Sequence, residues 1–324
     1  MRELFVFIPE YSITSKILKS ISVIEYSKAI IENTTILPSW ERQLVKEAKV
    51  KTVMSLLKME GVNTNQDQIK RHFDGIINNA YISNITSALS LVEQRTAFDD
   101  STLKEISKAL IPNSKGYRGI KAADKTDPEE ILAEIVQFFD WVNGKDSLET
   151  HPLLVSAIIL ANIERIQPFE NFNLSTSFIA SQIFLTTTGY EFKGYIGFAD
   201  YFHSAKHVFV QLINSINKNN LDFTGFIEYF VEAIASESAT VKEKVKLLAR
   251  DTKVAKATGY TDLNERQERI VEYLQDYGTL QNKDFGRLFP HISEDTVLRQ
   301  LKALIDKNIV VKRGSTKSSR YELK

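Results

Sequence analysis

The residues best suited to chemistry lie in a short polar stretch between two strongly apolar segments. The stretch reads Gln167-Pro168-Phe169-Glu170-Asn171-Phe172-Asn173-Leu174-Ser175. The apolar helix before it, which enters from Leu153, should end at Gln167, because proline disfavours helical geometry in the residue that precedes it. A second apolar helix should follow, with Ser175, Thr176 or Ser177 as its cap. A loop that faces a helix N-terminus is suited to hold an anion such as phosphate.

This stretch resembles the signature loop of the Fic-domain family. The family pattern is His-Pro-Phe-x-(Asp/Glu)-Gly-Asn-(Gly/Lys)-Arg, with a second arginine three residues further on. Most members transfer AMP from ATP to a hydroxyl group of a target protein. Pro168, Phe169 and Asn173 match the pattern, whereas the positions that carry the chemistry do not. The resemblance implies a mainly α-helical protein, with a Fic-type helical core and an N-terminal helical extension.

Two replacements remove the groups that would activate the reactants. The family histidine is the general base, and Gln167 puts a neutral amide in its place. General-base catalysis contributes roughly 10²–10⁴-fold to a rate, so its loss would be severe. The acidic residue of the family binds Mg²⁺, which relies on carboxylates, and Asn171 offers only an uncharged oxygen. We predict no metal site and no bound cofactor. ATP and Mg²⁺ are expected only if the chain is an active transferase.

The remaining replacements affect the phosphates. The family glycines let backbone N–H groups close around phosphate oxygens. Phe172 and Leu174 stand at these positions, and their side chains crowd the approach and disfavour φ > 0. The family arginines clamp phosphate oxygens, which Ser175 and Phe178 cannot do. The loop is therefore predicted to keep the family scaffold without its chemistry.

A second part of the resemblance is the pair Glu60-Gly61, which ends the helix predicted over 40–59. Many Fic proteins carry an inhibitory helix with Ser-x-x-x-Glu-Gly at its end, and its glutamate pairs with the second arginine of the loop. The residue at that arginine position here is Phe178. The alternative is that Gly61 is an ordinary helix C-terminator and Glu60 an ordinary surface acid.

Arg118 lies in the loop 112–121, which resembles the Gly-x-x-Arg stretch that precedes the target-docking flap of the family. The flap itself would be 122–128. The helix after it should begin at Pro128, because proline suits the first helical position and Glu129 and Glu130 suit the first turn. The alternative for Arg118 is a solvated loop charge.

Composition excludes several classes of function. The 324 residues include 41 Lys and Arg, 41 Asp and Glu, and no cysteine. The chain as a whole carries no net charge that would attract nucleic acid or an anionic membrane. The absence of cysteine excludes disulfides and cysteine-based sites. No apolar stretch approaches the length of a membrane span. We expect a soluble, cytoplasmic protein that does not associate with membranes.

Apolar residues at helical spacing predict most of the remaining elements. Near the N-terminus a helix is predicted over 13–32, and Ser39 should cap the next one. Further helices are predicted over 65–79, 80–92, 198–216 and 223–234. A long solvated helix over 235–257 should then leave the core.

The C-terminal segment reads as a separate winged helix-turn-helix. Three helices are predicted over 264–276, 283–288 and 294–307. A hairpin over 309–323 follows them. Six of its cations fall on the third helix and the wing: Arg299, Lys302, Lys312, Arg313, Lys317 and Arg320. A DNA reader would use such positions for the groove and the phosphates. The alternative is a protein-contact module, since Asp284, Glu294 and Asp295 lie nearby and would repel phosphate.

These observations predict three regions: an N-terminal helical region over 1–110, a Fic-like core over 111–250 and a winged helix over 260–324. The leading hypothesis is a catalytically impaired Fic-domain protein with a binding or regulatory role. One alternative is an active AMP transferase that acts on protein hydroxyls. The other is a DNA-binding transcriptional regulator that acts through its winged helix. We expect a protein partner, with DNA and a homodimer as further alternatives.

Overall fold

The computed structural model describes residues 6–119, 128–217, 220–257, 263–314 and 319–324, and this part of the chain is mainly α-helical. It divides into two compact units, Met1–Asn33 with Val45–Lys244 and Thr34–Leu44 with Val245–Lys324. Residues 122–127 of the predicted flap lie outside the described residues, as does Lys317.

Twelve helices begin in the part of the chain described up to residue 257. They are α1 (Ser15–Asn33), α2 (Pro38–Met59), α3 (Gln66–Phe73), α4 (Ala80–Gln94), α5 (Asp100–Leu110), α6 (Pro128–Val142), α7 (Lys145–Glu149), α8 (Pro152–Ile166), α9 (Asn173–Thr187), α10 (Ala199–Ser204), α11 (Lys206–Ser215) and α12 (Thr224–Ala257).

At the centre of the first unit are α8 and α9, which pack against each other and are buried over most of their length. Residues on every side of both helices are buried, as in a helix enclosed by others. The start of α8 is well defined, because Pro152 occupies the first turn and the Nδ1 atom of His151 accepts the N–H of Leu153 at 3.3 Å. The two central helices therefore hold the loop between them in a fixed place.

Several helix boundaries differ from the sequence-based expectations. Ser39 does not cap α2, because the helix already includes Pro38. The helix predicted over 65–79 ends at Phe73, and the one predicted over 198–216 is interrupted at Ala205. The two helices predicted over 223–257 are one continuous helix. The short helices α5 and α7 were not predicted.

From residue 263 onward, the described residues of the second unit form three α-helices and a small sheet. After α13 (Glu265–Tyr277) come β1 (Leu280–Gln281), α14 (Phe285–Leu288), α15 (Glu294–Asp306), β2 (Val310–Arg313) and β3 (Arg320–Leu323). The sheet is antiparallel with the order β1-β3-β2, so β3 pairs with both other strands. The strand β1, which the sequence did not predict, joins the hairpin to the segment after α13.

The elements of the second unit enclose a core of their own. Ile270 and Leu274 of α13 are buried with Leu301 of α15 and with Val310 and Tyr321 of the sheet. An Asn264–Gln267 capping box begins α13, and its reciprocal bonds satisfy N–H groups at the helix start. Its end is set by Gly278, whose φ of 75° suits glycine.

No helix among the described residues combines the length and the hydropathy needed to cross a membrane.

Candidate functional site

The loop between α8 and α9 begins and ends with a residue in the left-handed region. Gln167 has φ 48° and ψ 62°, and Phe172 has φ 56° and ψ 31°. The side chain of Phe172 disfavours positive φ, and the residue nevertheless adopts it in the structure. Left-handed geometry costs a non-glycine residue about 1–2 kcal/mol. Such strain persists only where surrounding contacts determine the backbone.

Asn173 supplies the first of these contacts. Its Oδ1 atom accepts the N–H of Phe169 at 2.9 Å, and its Nδ2 atom donates to the Phe169 carbonyl at 2.8 Å. Asn173 is 7% exposed and Phe169 is 1% exposed. The N–H and the carbonyl of Phe169 are buried, so solvent cannot bond to them, and the Asn173 amide pairs with both instead. These two hydrogen bonds form a closed ring that fixes the loop.

Arg118 supplies the second contact. Its Nε atom donates to the Gln167 carbonyl at 2.7 Å, and its backbone N–H donates to the Pro168 carbonyl at 2.8 Å. The side chain is buried, so the alternative of a solvated loop charge is wrong. A cation at the C-terminal end of α8 also interacts favourably with the helix dipole. Arg118 therefore holds the loop backbone.

The N-terminus of α9 is closed by Glu60. The helix begins at Asn173, earlier than the predicted caps, and Phe172 at the cap position has no side-chain acceptor. Its first N–H groups need acceptors from elsewhere. The Oε1 atom of Glu60 accepts the N–H of Ser175 at 2.8 Å, across 115 positions of sequence.

Glu60 is held at the end of α2 by ordinary helix-terminating bonds. Gly61 has φ 81°, and the N–H of Val62 donates to the Leu57 carbonyl at 2.8 Å. Lys206 donates to the Met59 carbonyl at 2.8 Å, which places its ammonium near the same end. Gly61 thus ends the helix, as expected if it is an ordinary helix C-terminator. Glu60 is not an ordinary surface acid, because it bonds to the loop helix.

Phe178, at the position of the second family arginine, belongs to the hydrophobic core. It is 1% exposed, and its ring centroid lies 4.8 Å from that of Phe198 and 6.4 Å from that of Phe202. The two phosphate-clamp positions of the family are therefore filled by a core aromatic and by Ser175, whose N–H already has an acceptor.

Burial raises the pKa of Glu60, because the charged form loses solvation. The Ser175 N–H and the Lys206 ammonium act in the opposite direction without cancelling this effect. A raised pKa means that the folded state binds the proton more tightly than the unfolded state. The group therefore favours folding at low pH, and this contribution is lost as pH rises from the ordinary 4.5 through the raised value.

We expect Glu60→Gln to reduce this pH dependence, because glutamine keeps an acceptor for the Ser175 N–H and cannot ionise. Each unit by which the pKa is raised corresponds to about 1.4 kcal/mol. The measurement is urea unfolding of both proteins between about pH 4 and pH 8. Glu60→Ala serves as the matched variant without an acceptor and should be less stable than Glu60→Gln throughout. Parallel pH curves for the wild type and Glu60→Gln would contradict the assignment.

A cavity of about 460 Å³ lies beside the loop, between the end of α8 and α11. Glu164, Arg165 and Gln167 line one side, and Phe209 and Asn214 are among the lining residues of α11. The Arg165 Nη2 atom contacts the Glu134 Oε2 atom at 2.6 Å, and these side chains are 9% and 5% exposed. The cavity is thus bordered by a buried ion pair.

Metal-binding geometry is absent from the described residues, in which no three His, Cys, Asp or Glu side chains are grouped to hold an ion. Gln167, Glu170 and Asn171 of the loop are exposed. The amide of Gln167 has no useful proton affinity, and the exposed Asn171 offers a single neutral oxygen. At the position of the family base the loop therefore offers a neutral amide, and its exposed carboxylate is that of Glu170.

Solved structures with the same arrangement of helices are Fic proteins. A Fic family protein from Desulfovibrio desulfuricans G20 matches 98% of both chains with a TM-score of 0.63 and 15% identity. The chain has the Fic fold. Fic-1 from C. elegans (residues 134–508) matches 71% of this chain and 71% of its own, with a TM-score of 0.55 and 12% identity.

A third Fic structure is a Fic-domain-containing signaling protein from Bacteroides thetaiotaomicron VPI-5482. It matches 73% of this chain and 97% of its own, with a TM-score of 0.57 and 17% identity. No protein-family model and no curated protein matches the sequence. The predicted mainly α-helical Fic fold is confirmed, and at these identities the likeness concerns the fold alone.

Those predicted cations of the second unit that the structure describes are exposed, and several already have side-chain partners. Arg313 and Arg320 both contact Glu322, at 2.8 and 3.0 Å. Arg299 donates to the Thr296 hydroxyl at 3.0 Å on α15. Lys302 is exposed on the same helix, and Lys312 lies over the Tyr321 ring. Glu322, which the sequence analysis did not single out, thus reduces the positive charge of the hairpin.

Proposed function

We propose that this Fic-fold protein is catalytically impaired and acts as a binding or regulatory protein. The observation that carries the proposal is the hydrogen bond from the Ser175 N–H to the Glu60 carboxylate. The N-terminus of α9 is where a Fic-type loop would present N–H groups to an anion. In this chain a carboxylate of the protein already takes one of these N–H groups.

The rest of the loop supports the same proposal. A bound triphosphate would need cations and free N–H groups, and the loop offers the side chains of Phe172, Leu174, Ser175 and Phe178. A target hydroxyl would need a base, and Gln167 has none to offer. The loop is nevertheless well ordered by Asn173 and Arg118. A rigid loop that lacks the catalytic groups of the family is still suited to binding, and we propose a protein as its partner.

The nucleotide test is a thermal melt of the full chain with ATP and Mg²⁺ at millimolar concentration. We expect no shift in Tm, because the carboxylate of Glu60 opposes a phosphate at the same helix end. A ligand present at a hundred times its Kd would stabilise the fold by about 2.7 kcal/mol. Labelled ATP incubated with the protein and a lysate should leave no label on any protein.

The matched variant in this test is Glu60→Gly, which removes the carboxylate and opens the helix end. We expect no label with this variant either, since Gln167 still lacks a base and no arginine is restored. Its thermal melt with ATP serves as a separate readout of binding. Label that appears only with Glu60→Gly would establish an active transferase restrained by Glu60.

A second candidate function is DNA binding by the second unit. The observation in its favour is the order of three helices and an antiparallel hairpin, with β1 as a third strand, which is typical of a winged helix-turn-helix. Arg299 and Lys302 lie one turn apart on the exposed face of α15. The pairing of Arg313 and Arg320 with Glu322 weakens the case, since these arginines would have to leave that carboxylate to meet phosphates.

If the winged helix reads DNA, the double variant Arg299→Ala/Lys302→Ala should bind mixed duplex DNA more weakly. Each lost phosphate contact should lower the slope of log K against log salt by about one unit. The measurement is a fluorescence titration of the full chain at two salt concentrations. Lys145→Ala, which removes an exposed cation of the first unit, is the matched control. Flat curves for the wild type at low salt would leave the second unit as a protein-contact module.

A further inference from the structure

His151 holds an unusual position for a histidine, because it caps the start of α8. Helix caps are most often Ser, Thr, Asp or Asn, whose side-chain oxygen accepts a backbone N–H. Here the Nδ1 atom of His151 accepts the N–H of Leu153 at 3.3 Å. An imidazole nitrogen can accept a hydrogen bond only while it carries no proton. The cap of α8 therefore depends on the protonation state of His151.

A chain of hydrogen bonds leads away from the other ring nitrogen. Because Nδ1 is the acceptor, the proton of the neutral ring lies on Nε2, which is 3.4 Å from the hydroxyl oxygen of Tyr190. That hydroxyl donates to the Oε1 atom of Glu25 at 2.5 Å. Burial and the hydrogen bond to Glu25 raise the pKa of Tyr190, so the phenol keeps its proton. The neutral histidine is thus connected to α1 and to the turn after α9.

Glu25 offers His151 a second partner once the ring is charged. Its Oε1 atom lies 3.8 Å from the Nε2 atom of His151, and the two side chains are 46% and 34% exposed, which leaves the ring room to turn. A protonated ring would lose its acceptor for the N–H of Leu153. It would also place a positive charge at a helix N-terminus, where the helix dipole disfavours it. The charged ring therefore favours Glu25 over the cap.

Charged groups of the two neighbouring helices pair with one another. These pairs are Lys28 with Glu32 on α1 and Lys145 with Glu149 on α7, both at 3.4 Å. The ammonium of Lys28 also lies 5.3 Å from the centre of the Tyr190 ring. Glu191, which follows Tyr190, is exposed to solvent. Glu25 is therefore the carboxylate that acts on His151.

Burial lowers the pKa of His151, and the carboxylate of Glu25 opposes this effect without cancelling it. A lowered pKa means that the folded state binds the proton less tightly than the unfolded state. The neutral cap therefore stabilises the fold fully above the ordinary value of 6.5. This contribution is lost as pH falls from 6.5 through the lowered value.

We propose that His151 is an acid-operated switch at the start of α8. The neutral ring caps the helix, and the protonated ring turns to Glu25 and releases the N–H of Leu153. The first turn of α8 then lacks an acceptor for this N–H and opens more readily. The switch goes beyond the proposed function, because it acts at the other end of α8 from the loop.

The test is an NMR titration of the full chain between about pH 4.5 and pH 8. It follows the ring protons of His151 and the exchange of the Leu153 amide, corrected for the intrinsic effect of pH on exchange. We expect both to change with one midpoint below 6.5. In acid the Leu153 amide should lose about fivefold in protection, the size expected for a lost helix cap. A midpoint at or above 6.5, or a Leu153 amide that does not follow His151, would overturn the proposal.

Three variants separate the switch from a general effect of acid. His151→Asn keeps an acceptor at the cap and does not titrate, so protection of the Leu153 amide should no longer depend on pH. Glu25→Gln removes the charge that favours the imidazolium, and the midpoint should move to lower pH. Tyr190→Phe releases Glu25 from its hydrogen bond, and the midpoint should move to higher pH.

Melting curves at the alkaline end of the range show that each variant is folded. Midpoints that stay unchanged in both Glu25→Gln and Tyr190→Phe would show that the charged ring does not turn to Glu25. Protection of the Leu153 amide that still falls in acid in His151→Asn would show that another group opens the helix. Either result would contradict the proposed switch.

Discussion

Arg165→Met is expected to lower the free energy of unfolding by about 3–5 kcal/mol. The substitution leaves the carboxylate of Glu134, whose residue is 4% exposed, without the guanidinium that now contacts it at 2.6 Å. Arg165 also donates to the Asn162 Oδ1 atom at 2.8 Å, so that buried amide loses its partner too. Urea unfolding at neutral pH measures the effect.

The double variant Glu134→Leu/Arg165→Met is the matched control for this prediction. It removes both charges and keeps similar volumes, and such replacements are often neutral or stabilising. We therefore expect the double variant to be more stable than Arg165→Met alone. If the two losses simply added, the ion pair would not be coupled as its geometry implies. Arg165 also borders the cavity beside the loop. Urea unfolding of the double variant therefore also shows whether the fold is stable when this lining residue carries no charge.

Asn173→Ala is expected to cost about 3 kcal/mol of stability. It removes both hydrogen bonds to Phe169 and leaves a buried N–H and a buried carbonyl unpaired, at about 1–3 kcal/mol each. The strained backbone of Phe172, which the same ring supports, should relax. Urea unfolding measures the loss, and backbone amide exchange of the loop reports whether the loss is local.

Asn173→Asp separates the two bonds of the ring. Aspartate can still accept the N–H of Phe169, but when ionised it cannot donate to the Phe169 carbonyl, and it faces that carbonyl with a negative charge. We expect a loss of stability that decreases as the carboxylate is protonated at low pH. Wild-type stability in both variants would show that the ring does not hold the loop.

The residues that match the Fic pattern and those that do not are distinguished by their structural roles. Pro168, Phe169 and Asn173 are buried, and the last two form the ring that shapes the loop. The residues at the positions of the base and the metal ligand, Gln167 and Asn171, are exposed, and Gln167 contacts Arg118 through its backbone carbonyl. The first group therefore shapes the loop, whereas the side chains of the second group face solvent.

The sequence by itself determined the parts of the fold that depend on local physics. The apolar run of α8, its start at Pro152 and its end before Pro168 follow from helix propensity and from the geometry of proline. Gly61 as a helix terminator follows from the freedom of glycine at positive φ. The mainly α-helical Fic fold followed from three matching loop residues and the order of helices, although the chemical positions differ.

Only the tertiary structure decided what those elements do together. Arg118 and Gln167 are 49 positions apart, and Glu60 and Ser175 are 115 positions apart, so no local pattern announces either contact. The start of α9 at Asn173 depends on the same cause, because a helix without a side-chain cap can begin there once Glu60 accepts one of its N–H groups. The local periodicity predicted one helix over 198–216, but the helix is broken at Ala205. It also predicted two helices over 223–257, but α12 is continuous. Packing decides such cases, since burial of an apolar face outweighs the propensities of a few residues.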